Sequence, residues 1–453
     1  MTVKTLAEQI ARYGAGLESS GISGGAAHEA KRRLIDSIAC ALGAWGSPPA
    51  RAARAAAPMV AEGPASTIIG SHATDPEHAA FANGVMIRYL DFNDTYLSKE
   101  PAHPSDNIAA ALAAAEAAKR GGSELLTAIV AAYEVQCALC DAATLRARGW
   151  DHVTYSAFSS TLAASMLLGL GEKETVHALG IAGTTSPALR QTRAGEISMW
   201  KGAAAANASR NAVFAAMLAG SGMTGPAPVF EGEFGFFNLV SGPFTLELGG
   251  GMSPRILGTY MKYYPVEYHA QSAVGAALEL SKETGGPERI ESVIVHTFMA
   301  AYEIIGSGAE KWAPKTRETA DHSLPYCVAA ALADRAVTLE TFSVERLGDE
   351  RLLDLVSKVR VVVDPALDAL YPEAVPNRVE VRLSTGATLT KEVIYPKGHP
   401  EDPLTDGEVE EKFRGLARGY FTEKETAEVL SSLWSIDRMD DSGEILRLLR
   451  SGG

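Results

Sequence analysis

The sequence predicts a mostly α-helical protein in which a smaller α+β domain is inserted into a large all-helical domain. Three observations support this. The 453 residues are too many for one ordinary core. Helical apolar spacing dominates as far as about residue 260 and returns from about residue 405, and β-strand patterns occur between them. We therefore predict an all-helical domain at 1–260 plus 405–453 and an α+β domain at 261–404.

The helical part consists of long segments rich in alanine and leucine, bounded by glycine, proline or serine. Such small side chains indicate closely approaching helices, as in a bundle, and the lack of a fixed period argues against a solenoid. The predicted helices are 26–44, 74–90, 106–119, 123–147, 155–169 and 199–219.

The inserted part begins with alternating and β-branched stretches at 289–298 and 358–364. Residues 377–396 predict a hairpin with Val379, Val381 and Leu383 on one face and a turn at 384–387. Helices fit at 268–283 and 323–336.

Charge and composition limit the partners. The chain is 46% hydrophobic, 21% charged and carries a net charge of -14, which disfavours nucleic acid or an anionic membrane surface. Its apolar runs fall short of the roughly 18 residues of a membrane span, and the start "MTVKTLAEQIARYGAG" is typical of an amphipathic helix, not a secretion signal. We expect a cytoplasmic protein with no nucleic-acid or membrane partner, in which an anionic small ligand would need a local cluster of cations.

Two of the four cysteines, Cys137 and Cys140, form a C-x-x-C pattern that is compatible with redox or metal chemistry. The surrounding "LLTAIVAAYEVQCALCDAATL" has helical periodicity, which favours two buried core thiols. No second pair supports zinc, and an iron–sulfur cluster needs about three or four thiolates.

The segment "RYLDFNDTYLSKEPAHPSDN" (88–107) concentrates titratable side chains. Ser105 is a candidate N-cap for a helix at 106–119, which places His103 just before a helix N-terminus, where the helix dipole favours neutral imidazole. Asp91 and Asp94 are three residues apart and could hold Mg²⁺ on one helical face. That alternative needs a second acidic cluster, which candidates such as "NASRNAVFAAM" (207–217) do not provide.

Further polar groups stand at predicted helix starts inside apolar sequence. Lys201 lies in the first turns of a helix, where a lysine is unfavourable unless it meets an anion, although a surface lysine is the ordinary alternative. Other candidates are Arg190 and Arg193 in "ALRQTRAG", Lys262 and His269 in "KYYPVEYH", His152 in "GWDH", and Asp321, His322 and Ser323 in "TADHS".

Six motifs, in order along the chain, resemble the MmgE/PrpD family, and most of all its 2-methylcitrate dehydratase branch. They are the 88–107 segment, "GWDHVTYSAF", "RAGEISMWKGAAAANASRNAV", "KYYPVEYHAQ", "TADHSLPYCVAAAL" and "KGHPEDPLT". The resemblance implies that the inserted domain is a lid, that the site lies in the cleft between the domains, and that the protein is a homodimer. It also implies chemistry on small polycarboxylates without a metal or other cofactor.

Carried over residue by residue, the family's active-site positions match Asp91, Thr95, His103, His152, Lys201, Lys262 and His269. Arg193 and the two lysines are expected to bind substrate carboxylates, and Ser105 and His322 are further substrate-binding candidates. The spacing from Thr95 to His103 and the form "FNDT" favour a dehydratase over the decarboxylase branch.

The resemblance therefore implies a hydro-lyase that dehydrates 2-methylcitrate, and citrate as a further substrate, in propionate catabolism. Elimination next to a carboxylate develops enolate charge, which needs fixed cations, a base and an acid. Lys201, Lys262 and Arg193 fit the cations. Either His103 or Asp91 fits the base, and either His152 or His269 fits the acid. Decarboxylation of cis-aconitate, epimerisation of a small dicarboxylate and a non-catalytic binding role remain alternatives.

Overall fold

The computed structural model describes residues 5–60, 63–195, 197–249 and 254–450. Within them the helices up to residue 220 are α1 Leu6–Ala15, α2 Gly24–Ala44, α3 Pro48–Ala56, α4 Pro76–Tyr89, α5 Ile108–Ala117, α6 Gly122–Ala142, α7 Val153–Leu168, α8 Glu172–Thr185 and α9 Ala204–Gly220. The later helices are α10 Gln271–Ser281, α11 Met299–Ile305, α12 Arg317–Ala320, α13 Leu324–Asp334, α14 Val344–Leu347, α15 Glu350–Ser357, α16 Pro365–Asp368, α17 Asp406–Ala417, α18 Glu423–Trp434 and α19 Gly443–Leu448. The strands are β1 Ser66–Thr67, β2 Ala73–Thr74, β3 Ile290–Thr297, β4 Val359–Val363, β5 Asn377–Leu383 and β6 Thr388–Val393.

The chain folds into two compact units, residues 1–259 with 405–453 and residues 260–404. Several helices of the first unit begin with a reciprocal cap that the sequence encodes locally. In α1, for example, the Thr5 hydroxyl accepts from the Glu8 amide, and the Glu8 carboxylate accepts from the Thr5 amide. The same threonine–glutamate pattern begins α17 and α18, where the chain re-enters the helical unit.

The core of the first unit is built from helices that approach closely through alanine. Helix α9 packs on α4, α7 and α8, and α7 also packs on α6. Larger side chains fill a second part of this core, where the rings of Phe158, Phe230 and Phe236 lie with centroids 4.5–5.5 Å apart. Small residues thus bring α4, α7 and α9 together, and these are the helices whose ends hold the candidate site.

Helix α6 passes the length and hydropathy test for a membrane span among the described residues, but 89% of its apolar window is buried within the protein. A central helix of a folded core meets the same test, since it is surrounded by apolar neighbours. Cys137 and Cys140 are buried on this helix, as its periodicity predicted.

The second unit contains a four-stranded sheet with the order β4-β3-β5-β6. Strand β3 pairs in parallel with β4 and antiparallel with β5, and β5–β6 is the predicted hairpin. Val379, Val381 and Leu383 share the buried face of β5. The hairpin closes through the Leu383 amide, which donates to the Ala387 carbonyl at 2.8 Å.

The structure corrects two expectations. The first unit is not entirely helical, because β1 and β2 form a small antiparallel pair. Ser105 is not an N-cap: a short 3-10 helix begins at Pro104 with His103 before it and leads into α5. Proline is well suited to a first helical position because it has no amide hydrogen to satisfy, so the turn begins before the serine.

Gly84 lies where α4 packs tightly against α9. A Cβ at this position would lie 2.9 Å from both Cα and Cβ of Ala206. We expect Gly84→Ala to lower the free energy of unfolding by about 1–3 kcal/mol through overpacking, a cost that the gain in helix propensity, about 0.5–1 kcal/mol, does not remove. Urea denaturation measures this change.

The matched control is Gly415→Ala in α17, where a Cβ would have no heavy atom within 4 Å. This exposed helix position should gain about 0.5–1 kcal/mol. Equal effects of the two substitutions would contradict a tight α4–α9 contact.

Candidate active site

The first unit gathers candidate residues where α4 ends. Arg88 lies in the last turn of α4, and Asp91 follows with φ at 50°, in the left-handed region that non-glycine residues seldom adopt. The Asp91 amide still donates to the Arg88 carbonyl at 3.1 Å. This tight reversal directs the aspartate back towards the helix end.

Asp91 lies between two buried cations. One of its carboxylate oxygens accepts a hydrogen bond from the Arg88 guanidinium, and the other lies 3.4 Å from Lys201 Nζ. Lys201 belongs to a 3-10 turn at Met199–Gly202, immediately before α9, and is only 7% exposed. A lysine buried to this extent needs a counter-charge, and Asp91 supplies one.

The loop after Asp91 is held by side chains of its own sequence. The Thr95 hydroxyl donates to the Ala102 carbonyl at 3.1 Å. Asp94 accepts from the Ser105 amide at 2.9 Å and from the Tyr133 hydroxyl at 2.7 Å, one bond to each carboxylate oxygen. Asp94 and Ser105 are fully buried. They stabilise the loop that carries His103.

His103 uses both of its ring nitrogens. Nδ1 lies 2.6 Å from the Asp94 carbonyl oxygen, and Nε2 lies 2.8 Å from Nη2 of Arg88. The ring of His152, at the start of α7, lies with its centroid 5.5 Å from that of His103. Two imidazoles and two cations are thus brought to one place in the first unit.

His152 is held by Asp151 and Arg193. Its Nδ1 lies 3.2 Å from one Asp151 oxygen, and the other Asp151 oxygen accepts from Arg193 Nε at 2.8 Å. Burial, together with the nearby Arg193 guanidinium, lowers the pKa of His152 to about 3. Burial opposes ionisation of Asp151 as well, but the Arg193 guanidinium and the hydrogen bond from the Val153 amide hold the pKa of that carboxyl below its ordinary value. His152 is therefore a neutral imidazole at ordinary pH.

Asp106, in the 3-10 turn after His103, is a buried carboxyl at the back of this group. One of its oxygens lies 3.9 Å from Arg88 Nε and 3.4 Å from Asn93 Nδ2. Burial raises the pKa of Asp106 to about 7, with Arg88 opposing the rise and Asp94 adding to it. Its charge thus changes in the pH range in which most proteins are stable.

The second unit contains a separate group around Glu267. His269 Nδ1 lies 2.7 Å from a Glu267 oxygen, and His269 Nε2 lies 3.4 Å from the Tyr371 hydroxyl. Burial disfavours the Glu267 carboxylate, but His269, His322 and Lys262 outweigh it and lower the pKa of Glu267 to about 2. Lys262 is 1% exposed. The carboxylate orients the His269 ring and can balance the charge of a protonated imidazole.

His322 forms a second imidazole–carboxylate pair in this unit, with Nδ1 2.5 Å from Asp321 Oδ1. The Asp321 carbonyl accepts from the Glu267 amide at 2.9 Å, which joins the two pairs through the backbone. Lys262, His269 and His322 are therefore neighbours of one charged glutamate.

The chain matches two known domains along most of its length. Residues 8–249 match the MmgE/PrpD N-terminal domain, and residues 264–436 match the MmgE/PrpD C-terminal domain. The chain belongs to the MmgE/PrpD family. The resemblance carried by its six motifs is thus confirmed.

Relatives within the MmgE/PrpD family carry dehydratase names. The chain is 30% identical to a 2-methylcitrate dehydratase of Cupriavidus necator, over 91% of this chain and 90% of that protein. It is 31% identical to the mitochondrial 2-methylcitrate dehydratase of Yarrowia lipolytica, over 79% and 73%. It is 29% identical to the alkylcitrate dehydratase phiI of a fungal species, over 80% and 77%.

In this MmgE/PrpD protein the predicted residues fall into two groups, one in each unit. Contacts link Asp91, His103, His152, Arg193 and Lys201 in the first unit, while Thr95 and Ser105 hold their loop. Lys262, His269 and His322 form the group in the second unit. Among the described residues, the side chains that could jointly hold a metal ion are Asp75, Glu77 and His78. They lie at the other end of α4 from Asp91, roughly 20 Å away along the helix.

Sequence reasoning missed the partners of these residues: Arg88, Asp106, Asp151, Glu267 and Tyr371. Three of these partners lie within three residues of the predicted residue that they contact. Arg88 is three residues before Asp91, Asp151 precedes His152, and Glu267 is two residues before His269. Tyr371 is 102 residues from His269 and has no signal in the sequence.

Proposed function

We propose that this protein is a hydro-lyase of propionate catabolism that eliminates water from 2-methylcitrate to give 2-methyl-cis-aconitate, with citrate as a further substrate. The observation that carries the proposal is the pair of buried cations, Lys201 and Arg88, together with the partly buried Arg193 beside a neutral histidine, all in the first unit. Relatives named 2-methylcitrate dehydratase support the same substrate class.

The reaction requires three operations on one molecule. A base removes a proton from the carbon next to a carboxylate, the electron pair forms the carbon–carbon double bond, and the neighbouring C–O bond breaks. The leaving hydroxyl takes a proton from an acid and departs as water. Because the removed proton is weakly acidic, catalysis depends on fixed cations where the enolate charge develops.

We assign the base to His103. Asp91 is engaged by Arg88 and Lys201, so its role is to hold Lys201 in place, whereas His103 is an imidazole that can take up a proton. Because the pKa of His152 is about 3, its ring carries no imidazolium proton to donate at neutral pH. The acid is therefore assigned to His269, whose ring is oriented by the Glu267 carboxylate. Arg193, Lys201 and Lys262 are assigned to the substrate carboxylates.

The test is an assay of purified protein treated with EDTA and then dialysed. It is given 2-methylcitrate, citrate and cis-aconitate in turn, and both the ultraviolet absorbance of the unsaturated product and CO₂ release are followed. Dehydration of 2-methylcitrate without added metal supports the proposal. CO₂ from cis-aconitate without dehydration would establish a decarboxylase instead, and activity that returns only with Mg²⁺ would contradict metal-independent chemistry.

His103→Gln is the decisive variant for the assigned base. Removing a positioned acid–base group should lower the dehydration rate by about 10²–10⁴-fold. The matched control is His28→Gln, which removes a half-exposed imidazole on α2. A folded His103→Gln protein with near wild-type kcat would contradict the assignment.

A further inference from the structure

Arg88 is a buried cation with no role assigned by the motifs, and it contacts the candidate base directly. It is 2% exposed at the end of α4. Its guanidinium meets Asp91 through Nη1 and His103 through Nη2, while Nε faces Asp106 at 3.9 Å. Burial alone would lower the pKa of Arg88, but Asp91 and Asp106 outweigh it and raise the pKa above its ordinary value. The residue is a permanent cation.

The partners of His103 decide where its ring carries a proton. A guanidinium can only donate a hydrogen bond, so Nε2 must accept from Arg88 with its lone pair. A carbonyl oxygen can only accept, so Nδ1 must carry the hydrogen that faces Asp94. The assignment rests on partner chemistry and gives a neutral imidazole with its proton on Nδ1.

This arrangement has a consequence for catalysis. Nε2 has one lone pair, and Arg88 occupies it, so His103 cannot take a substrate proton until the Arg88 hydrogen bond breaks. A carboxylate is a stronger acceptor for a guanidinium than an imidazole, because the bond is then charge-assisted and can be bidentate. A substrate carboxylate that reaches Arg88 would therefore release the lone pair of His103.

We propose that Arg88 is a positioning residue that holds His103 neutral, with its Nε2 occupied, until a substrate carboxylate binds the guanidinium. This inference rests on the proposed function. The base then becomes available only when substrate is present. Asp106 anchors the arginine from the opposite side. Neither Arg88 Nε nor Asp106 Oδ2 has a hydrogen-bond partner among the residues that the structure describes, so the contact between the two side chains at 3.9 Å is electrostatic.

The pH dependence of His103 tests this. Within the first unit, the charged and titratable groups near it include Arg88 and Asp91 at the end of α4, Asp94 in the loop, Asp106 in the 3-10 turn, His152 before α7 with its partners Asp151 and Arg193, and Lys201 through Asp91. The cation at 2.8 Å disfavours protonation of the ring. In Arg88→Gln, His103 should therefore protonate about one pH unit higher, or more.

Two measurements follow this protonation in the wild type and in Arg88→Gln. The first is the acid limb of kcat/KM for 2-methylcitrate. The second is the pH dependence of diethylpyrocarbonate modification of His103, quantified by mass spectrometry without substrate, because the reagent reacts with the neutral ring. Both midpoints should move upward together. A purely structural role would lower the rate at every pH and leave both midpoints in place.

A second variant allows the same test if Arg88→Gln does not fold. Arg88→Gln combined with Asp106→Asn removes the cation together with a buried carboxylate that would lose its partner. Because the pKa of Asp106 is about 7, this carboxyl is largely protonated on the acid limb, so the added substitution should leave the upward shift intact. Arg88→Lys keeps the charge and should give a smaller shift.

The outcomes separate this inference from the proposed function. A modification midpoint of His103 that does not move in either Gln variant overturns the role of Arg88, whatever the activity. A wild-type protein that dehydrates none of the acids overturns the proposed function and the substrate-triggered release. Parallel upward shifts of both midpoints support the role of Arg88.

Discussion

Replacement of Lys201 by alanine is expected to lower kcat for dehydration of 2-methylcitrate by about 10²–10³-fold, the effect of removing one fixed group that stabilises developing negative charge. Lys201 is 7% exposed and lies 3.4 Å from the Asp91 carboxylate, so its ammonium is held in place before substrate arrives. Steady-state kinetics of both kcat and KM check this. A rise in KM with unchanged kcat would show that Lys201 only binds the ground state.

The matched control for Lys201→Ala is Lys424→Ala, since Lys424 is 88% exposed on α18. It should keep wild-type kinetics, because an exposed ion pair contributes little to stability. Lys201→Arg keeps the charge with a different shape and should lie between the two. Circular dichroism and the thermal midpoint show whether Lys201→Ala folds, and a folded variant within threefold of the wild-type kcat would contradict the role of Lys201.

The second large effect is expected in the pH dependence of stability of His152→Gln. The pKa of His152 is about 3 in the folded protein and about 6.5 in an unfolded chain, so the folded state binds fewer protons in between. The stability associated with this histidine is therefore present above pH 6.5 and is lost as the pH falls towards 3. Over the two pH units from 6.5 to 4.5 the wild type should lose about 2 kcal/mol that the variant keeps.

Urea denaturation of the wild type and His152→Gln at several pH values between 7.5 and 4.5 measures this difference. The variant is expected to be less stable at pH 7.5, because it loses the contacts to Asp151 and Arg193, but its stability should fall less steeply with acid. His28→Gln serves as the control for replacing a half-exposed histidine by glutamine. Parallel curves for wild type and His152→Gln would contradict a neutral, buried imidazole.

Local patterns predicted much of the fold. The periodicity of α6 and the alternation in β5 each depend on residues that are near in sequence, and both elements appear where the patterns occur. The β1–β2 pair was missed because two residues per strand are too few to show alternation. The helix start at Pro104 was misplaced because serine and proline are both good start signals, and the proline comes first.

The candidate site was predictable as a set of titratable residues but not as an arrangement. Arg88 contacts His103, fifteen residues away, because the chain reverses at Asp91. Asp91 has a left-handed conformation that no pattern in the sequence predicts. Arg193 likewise contacts a residue that is distant in sequence, since Asp151 lies 42 residues away. Tertiary contacts of this kind decide which carboxylate orients which base.

The cysteines give the protein a built-in reporter of unfolding. All four side chains are buried, and burial raises the pKa of the Cys137, Cys140 and Cys327 thiols well above the ordinary range. The thiolate is the nucleophile that attacks an alkylating reagent, and its sulfur must be exposed to solvent to do so. The folded molecule therefore protects these groups both sterically and by keeping them protonated. Covalent labelling at Cys137 and Cys140 would time the opening of the central helix, and labelling at Cys327 would time the opening of the second unit independently.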